Sequence, residues 1–283
     1  MNVGGTSPAR ADAVVLFLAH QWSEAIGQRF ARLRRELSPF VDCFVLLQND
    51  QGDVLRSWTA FLHAIGASDA LVPFLADELP GELGLRYFGE NRIMGNTHFP
   101  LLRFARSRRY RHYWQVESDV EYRGNWLSFF GAYRECETPL LASHIHRYHD
   151  WPTWHWWHSF AVPTDSGLAL ANLYKAFFPV FRISPPAIEA VEQAHRAGWL
   201  GHFEVVVPTA VTRAGLGLQD LCAINPCYVG ASQNPCAILP IQSTLRWRPE
   251  VSVGEFWHRG SGALIFHPVK DNWSFDGEKI VRM

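Results

Sequence analysis

The chain has few cysteines, and their spacing excludes the usual cysteine-based frameworks. Only 5 of its 283 residues are cysteines, and no two of them form a CxxC pair. They are Cys43, Cys136, Cys222, Cys227 and Cys236. An odd number without paired spacing predicts reduced thiols and a cytoplasmic protein rather than a disulfide-stabilised secreted one. A zinc site built from the last three is an alternative, although their spacing fits no standard zinc motif.

The sequence also lacks an excess of charge and a long apolar run. The formal net charge is -1, so nothing indicates electrostatic binding to nucleic acid. The apolar run Ala13–Ala19 is too short to span a bilayer and leads into a polar stretch. We therefore expect no nucleic-acid partner, no signal peptide and no transmembrane segment, whereas the oligomeric state is left open.

What the sequence does contain is material for one large core. Hydrophobic residues make up 48% and aromatic residues 14% of the chain, and the length fits a single large α/β domain. We expect residues 1–11 to form a flexible N-terminal tail and residues 12–283 to form the domain.

The first part of the domain has the pattern of a β-α-β unit. The apolar run Ala13–Ala19 predicts a buried strand, apolar residues at helical spacing follow, Pro39 ends the helix, and Val41–Leu47 predicts a second buried strand. Such a unit implies a parallel sheet with a right-handed crossover. Polar residues follow each strand, with His20 after the first and Asp50 after the second.

The stretch Tyr113–Trp126, YWQVESDVEYRGNW, predicts a central strand that ends in alternating carboxylates, Glu117, Asp119 and Glu121. Residues two apart on a strand share a face, so Glu117 and Asp119 could bind one hard cation such as Mg²⁺ or Mn²⁺. Open α/β sheets bind ligands at the carboxyl ends of their strands, where this motif would lie. A solvent-exposed acidic turn is the alternative interpretation.

The segment Ser143–Phe160 is dense in tryptophan and histidine. Aromatic rings can cover the apolar faces of sugars while polar neighbours bind the hydroxyls. On this basis Trp154, His155 and Trp157 are expected to lie at a saccharide-binding pocket. The alternative is that the tryptophans pack a long loop onto the body of the protein.

The same segment offers a metal hypothesis. His144 and His146 would share a face of a strand, and His149 follows closely, so the three imidazoles could bind Zn²⁺. A histidine-rich zinc hydrolase is therefore one alternative function.

Two further positions are chemically suggestive. Glu204 is a lone acid among apolar residues, and a buried carboxylate with a raised pKa would be a suitable general base, although a structural ion pair is the default. Near the end of the chain, the predicted strand Ala263–Lys270 carries His267, a candidate metal ligand, and Lys270, whose charge could neutralise phosphate. The alternative for His267 is a surface residue before a proline turn.

Taken in order, these motifs resemble the GT-A class of nucleotide-sugar glycosyltransferases. The segment WQVESDVEYRGNW is also similar to an uncharacterised GT-A-like family with a W-x-x-E-x-D pattern. The resemblance implies a single-domain, three-layer α/β/α GT-A-like (Rossmann-like) fold with a mixed, mainly parallel sheet. Its nucleotide-binding half would span about residues 12–125 and its acceptor half about residues 126–283. The DxD motif of the class is present as Glu117-Ser118-Asp119, which leaves the metal requirement open.

The resemblance also implies roles for the catalytic residues. Asp119 would bind the divalent metal, Mn²⁺ or Mg²⁺, that bridges the donor diphosphate, with Glu117 in support and His267 completing the metal shell. Glu204 would deprotonate the acceptor hydroxyl in an inverting reaction. The implied enzyme is a hexosyltransferase-like glycosyltransferase that moves a sugar from a nucleotide-sugar to a saccharide or glycan. A non-catalytic carbohydrate-binding protein on the same fold is the other alternative.

Five residues are expected to bind the nucleotide-sugar donor in addition to Glu117. His20 and Asp50 would face the base and ribose, Arg92 and Asn96 would reach the nucleotide from the helix before the acidic strand, and Lys270 would lie near the diphosphate.

Overall fold

A computed structural model describes residues 12–50, 52–89, 93–163, 168–229, 242–270 and 272–283. The predicted tail at residues 1–11, Arg92 and Cys236 lie outside these ranges. The strands are β1 (Ala13–Ala19), β2 (Asp42–Gln48), β3 (Leu71–Phe74), β4 (His112–Glu117), β5 (Glu121–Tyr122), β6 (Leu140–Arg147), β7 (Tyr174–Ile183), β8 (Leu218–Asp220), β9 (Ile265–Phe266), β10 (Trp273–Phe275) and β11 (Ile280–Arg282). The helices are α1 (Glu24–Leu37), α2 (Gly52–Ala64), α3 (Leu79–Leu83), α4 (Phe99–Ser107), α5 (Trp126–Gly131), α6 (Pro185–Arg196), α7 (Phe203–Arg213) and α8 (Val253–His258).

Seven of the strands form one sheet in the order β3-β2-β1-β4-β7-β6-β8. β7 runs antiparallel to both of its neighbours, and the other strand pairs of this sheet are parallel. The predicted fold class, α/β with a mixed and mainly parallel sheet, is confirmed.

The central strands are buried on both faces, as their continuous apolar runs predict. Successive side chains of β1 alternate between two cores: Val14 and Leu16 face one, and Val15 and Phe17 face the other. The first core packs against α3, α4, α6 and α7, and the second packs against α1, α2 and α5. Burial of each large apolar side chain contributes about 1.5–3 kcal/mol, so the two cores hold the helices on either side of the sheet.

A buried ion-pair network joins the acidic stretch to the C-terminal segment. Glu121 is 2% exposed and accepts hydrogen bonds from Arg29 Nε at 3.1 Å, Arg32 Nη1 at 3.4 Å and the Phe275 amide at 3.2 Å. Arg29 also donates to the carbonyl of Trp273 at 2.7 Å. The carboxylate of Glu121 therefore has a structural role. Glu117 and Asp119, in contrast, line a cleft that is described below.

Several element boundaries differ from the sequence expectation. The helix before the acidic strand, which was expected to carry Asn96, begins at Phe99, because Pro100 fits only in a first helical turn. α7 begins at Phe203, so Glu204 lies in its first turn. Of the strand expected over 263–270, Ile265–Phe266 is regular, and it pairs with β5 rather than with the large sheet.

The described part of the chain contains no helix that is long and apolar enough to cross a membrane.

Candidate active site

A cleft of about 2030 Å³ opens at the carboxyl ends of the central parallel strands. Leu18 of β1 pairs with Glu117 of β4, so these two strands end side by side at its floor. Small-molecule pockets usually measure about 300–1,000 Å³, so this cleft has room for two substrates.

Three candidate metal ligands meet in the cleft. Glu117 ends β4, Asp119 lies in the turn that follows, and His267 comes directly after β9. The His267 Nε2 atom lies 3.3 Å from Glu117 Oε2 and 3.3 Å from Asp119 Oδ1. One ligand atom from each residue falls within 4.8 Å of the others. Positions far apart in the sequence thus converge, as the metal hypothesis requires.

The backbone around His267 selects the nitrogen that faces the carboxylates. His267 Nδ1 donates a hydrogen bond to the Arg246 carbonyl at 2.6 Å, and the Arg246 amide donates to the His267 carbonyl at 3.2 Å. With one proton held on Nδ1, Nε2 is the nitrogen that would offer its lone pair to a cation in exchange for its own proton, as in a metal-binding histidine.

Charges within this group shift the pKa values of Asp119 and His267. Burial alone would lower the pKa of His267, but Asp119 and Glu117 raise it to about 10. Burial alone would raise the pKa of Asp119, but His267 and Lys270 hold it well below its usual value. Lys270 pairs with the second oxygen of Asp119. Asp119 therefore stays ionised at neutral pH.

The donor set fits a hard divalent cation. Two carboxylates and an imidazole suit Mg²⁺ or Mn²⁺. Neighbouring ligands of an octahedral ion with bonds of about 2.1 Å lie about 3.0 Å apart. The separations of His267 Nε2 from Glu117 and Asp119, both 3.3 Å, are close to that value.

Glu204 lies in the same cleft, at the first turn of α7. Its side chain is 12% exposed, and its Oε2 lies 3.9 Å from His202 Nδ1. Burial raises the pKa of Glu204 to about 7, against the opposing effect of Lys175, while the charge of Glu117 raises it further. The carboxylate can therefore accept a proton near neutral pH.

The tryptophan-rich segment forms an aromatic wall of the cleft. Trp154, His155 and Trp156 line the cleft. The ring of Trp156 stacks on that of His202, with 4.4 Å between the ring centroids. The structure corrects the expected position of Trp157, which does not line the cleft. Its ring is buried behind the wall, and its indole nitrogen donates to the Trp151 carbonyl at 2.8 Å.

On the side expected to bind the nucleotide, the structure brings fewer of the predicted residues together. His20 lines the cleft, as does Gln48 at the end of β2, which sequence reasoning missed. Asp50 and Asn96 do not line it, which corrects their expected positions. Asp50 accepts from the Ala76 amide at 3.0 Å, and Asn96 is fully buried.

Asn96 serves the backbone of a neighbouring loop. Its side-chain oxygen accepts a hydrogen bond from the Phe88 amide at 3.0 Å, and its side-chain nitrogen donates one to the Phe88 carbonyl at 3.1 Å.

Lys270, in contrast, lines the cleft beside Asp119, with its side chain 43% exposed. Arg92 lies outside the described residues.

The histidines of the zinc hypothesis do not converge. His144 Nε2 contacts the Leu245 carbonyl at 2.7 Å, and His149 is 61% exposed and pairs with Asp150. Within the described part of the chain, the three potential metal ligands that do lie close together are Glu117, Asp119 and His267.

Sequence reasoning missed several residues of the cleft. Those with polar or aromatic side chains include Gln48, Lys175, His202, Trp247 and Arg248. Trp247 is 64% exposed, and the Arg248 guanidinium lies 4.8 Å from its ring centroid. In the sequence, the neighbouring Trp247 and Arg248 could have indicated a binding site, because tryptophan and arginine are frequent at such sites.

No protein-family model matches the sequence, and no curated protein matches it. Similar solved structures include the galactosyltransferase LgtC in complex with donor and acceptor sugar analogues. It is 13% identical, with 87% of this chain and 90% of that chain covered and a TM-score of 0.44. Another is the glucosyl-3-phosphoglycerate synthase of Mycobacterium tuberculosis in complex with Mn²⁺, UDP and glucosyl-3-phosphoglycerate. It is 16% identical, covers 75% and 70%, and has a TM-score of 0.41.

The same synthase is also similar in a complex with Mg²⁺ and UDP, at 15% identity and a TM-score of 0.41. Both proteins are glycosyltransferases of the GT-A fold. With TM-scores below 0.5, these likenesses carry no conclusion about the activity or substrates of this chain.

Proposed function

We propose that the protein is a glycosyltransferase that moves a sugar from a nucleotide-sugar donor to a saccharide or glycan acceptor with the help of a divalent metal. The observation that carries the proposal is the meeting of Glu117, Asp119 and His267 in a cleft that also contains Glu204. The volume of the cleft, about 2030 Å³, is sufficient for a donor and an acceptor together.

In this proposal Glu117, Asp119 and His267 hold Mn²⁺ or Mg²⁺. When bound, the ion supplies charge stabilisation worth several kcal/mol to a diphosphate leaving group. Lys270 adds a second positive charge next to Asp119. His20 and Gln48, at the ends of β1 and β2, are placed to contact the nucleotide.

The role proposed for Glu204 is that of the general base. Its carboxylate would take the proton from the acceptor hydroxyl as that oxygen bonds to the anomeric carbon and the nucleoside diphosphate departs. A base on the face opposite the leaving group gives inversion. Burial of Glu204 supports this role, because a carboxylate with a pKa near 7 is a stronger base than an exposed one.

The direct test is a thermal-shift screen of nucleoside diphosphates with and without Mn²⁺. A ligand that binds only the folded protein stabilises it by mass action, by about 2.7 kcal/mol at a hundredfold excess over its Kd. For a chain of this size we expect the matching nucleotide to raise Tm by about 5 °C with Mn²⁺ and by much less with EDTA. If no nucleoside diphosphate raises Tm in the presence of Mn²⁺, the donor proposal is wrong.

Substituting Glu204 by glutamine tests the base. Glu204→Gln should lower kcat by about 10²–10⁴-fold while nucleotide binding stays unchanged, because the amide cannot accept the proton. In the wild type, Glu204 must be ionised to act, so kcat/KM should fall as the pH drops below about 7. The measurement is a pH–rate profile.

Glu250→Gln is the matched control, since Glu250 is an exposed carboxylate that lines the same cleft. It should leave both kcat and the pH profile unchanged. Equal losses of nucleotide binding and turnover in Glu204→Gln would mean that Glu204 is not the base. Tight sugar binding with no turnover in the wild type would favour a non-catalytic carbohydrate-binding protein.

A further inference from the structure

Lys175 is a buried cation in the wall of the cleft. It lies near the start of β7, is 5% exposed, and lines the cleft together with its neighbour on the same strand face, Phe177. The Phe177 ring lies 5.5 Å from the His267 ring. Because residues two apart on a strand are separated by about 7 Å, Lys175 is one such step along β7 from Phe177, the residue that packs against His267.

Two indole rings enclose the ammonium group. Lys175 Nζ lies 4.8 Å from the ring centroid of Trp151 and 5.0 Å from that of Trp154. Such cation–π contacts offset part of the cost of removing a charge from water. They also fix the position of the ammonium, because both rings belong to the tryptophan-rich segment that forms the aromatic wall.

No described carboxylate forms an ion pair with this ammonium. Glu204 lies 3.9 Å from His202 Nδ1 and does not contact Lys175 directly. The carboxylate of Asp150, which also lines the cleft, pairs with His149 at 3.1 Å and accepts from the Arg147 amide at 2.9 Å. Glu204 acts on Lys175 through its charge but without direct contact, so among the described residues the ammonium has no carboxylate bonded to it, which is unusual for a buried charge.

Two histidines near Lys175 are neutral, and Glu204 is the acid whose charge acts on it. His146 lies directly opposite it on β6. Burial, reinforced by the charge of Lys175, lowers the pKa of His146 to about 4 and that of His144 to about 3. Burial lowers the pKa of Lys175 to about 8 even against the charge of Glu204, so an anion in direct contact would restore its full charge. The local field therefore favours a negatively charged group.

We propose that Lys175, with Trp151 and Trp154, forms an anion-recognising subsite for the acceptor, and that the acceptor carries an oxyanion, either a carboxylate or a phosphate. The inference rests on the proposed function, because it names the class of acceptor for that same cleft. The ammonium contacts the oxyanion, and the indole rings cover the apolar part of the same molecule. Lys175 is then a specificity-determining residue, and Glu204 acts on a hydroxyl of the molecule that Lys175 holds.

Three monosaccharide probes isolate the charge. Glucose, glucuronate and glucose 6-phosphate share a ring and differ at C6, so their binding is compared by calorimetry in the presence of UDP and Mn²⁺. We expect the wild type to bind at least one charged sugar about tenfold or more tightly than glucose, as a hydrogen bond to a charged group would give. Preference for glucuronate or for glucose 6-phosphate distinguishes a carboxylate from a phosphate.

Substitutions assign the effect to Lys175. Lys175→Met should remove the preference for the charged sugar without weakening glucose binding, and Lys175→Arg should retain part of it. Lys279→Met is the matched control, because Lys279 is exposed. Melting curves establish that each variant folds, and if Lys175→Met fails to fold, the probe comparison on the wild type together with Lys175→Arg decides the question.

The outcomes separate this inference from the donor proposal. Equal affinity for all three probes in the wild type, or an unchanged preference in Lys175→Met, overturns the anion subsite even where UDP binds with Mn²⁺. A charge preference that Lys175→Met abolishes supports the subsite even where UDP fails to bind, and in that case only the donor proposal is lost. A shifted pH profile in Lys175→Met without any charge preference would mean that Lys175 serves Glu204 alone.

Discussion

Asp119→Asn should abolish metal-dependent nucleotide binding and lower turnover by about 10³-fold or more. One Asp119 oxygen lies 3.3 Å from His267 Nε2 and the other pairs with Lys270, so the substitution removes a negative charge at the centre of the cluster. A loss of about 4 kcal/mol of transition-state stabilisation corresponds to about 10³ in rate. The measurements are steady-state transfer and donor hydrolysis, with the Mn²⁺-dependent rise in Tm as the binding readout.

Asparagine is chosen over alanine because it keeps the volume of the side chain. The circular dichroism spectrum of the Asp119→Asn variant should match that of the wild type. Glu250→Gln, which removes a cleft carboxylate outside the cluster, should retain full activity. Turnover of Asp119→Asn within tenfold of the wild type would contradict the proposed metal role.

Glu121→Ala should lower the free energy of unfolding by about 3–5 kcal/mol. The substitution leaves the guanidinium groups of Arg29 and Arg32 buried without their shared carboxylate. Native domains are stable by only about 5–15 kcal/mol, so this is a large fraction of the total. Urea denaturation followed by tryptophan fluorescence measures it.

An exposed ion pair provides the control for that experiment. Glu135 pairs with Arg134 at 3.9 Å, and its side chain is 96% exposed. Glu135→Ala should leave the denaturation midpoint close to that of the wild type, because surface pairs are screened by solvent. A similar midpoint for Glu121→Ala would show that the buried network contributes little to stability.

The parts of the fold that could be predicted from the sequence depend on local signals. The apolar run of β1 and the strand before Glu117 identify the centre of the sheet. The spacing of Glu117 and Asp119 predicts that both reach one point, and they do. The sequence marks His267 as a candidate metal ligand, but only the family resemblance places it with Glu117 and Asp119, since a histidine before a proline has no local signature of its partners.

Other positions could not be predicted, because one residue type serves several purposes. Asp50 and Asn96 are short polar side chains next to strand and loop ends, where such groups often bind backbone amides. Both do so here. The position of Lys175 could not be predicted because nothing local in the sequence indicates that it is buried. A lysine is usually exposed, and only the pairing of β6 with β7 and the fold of the tryptophan segment bury it.

The order in which the cleft acquires its groups has a consequence for biosynthesis. The last strand of the large sheet, β8, ends at Asp220, well before His267 in the chain. A nascent polypeptide that already contains every strand of that sheet therefore still lacks the imidazole. Premature termination or proteolytic trimming after Asp220 would leave a product that carries every strand of the large sheet but lacks His267.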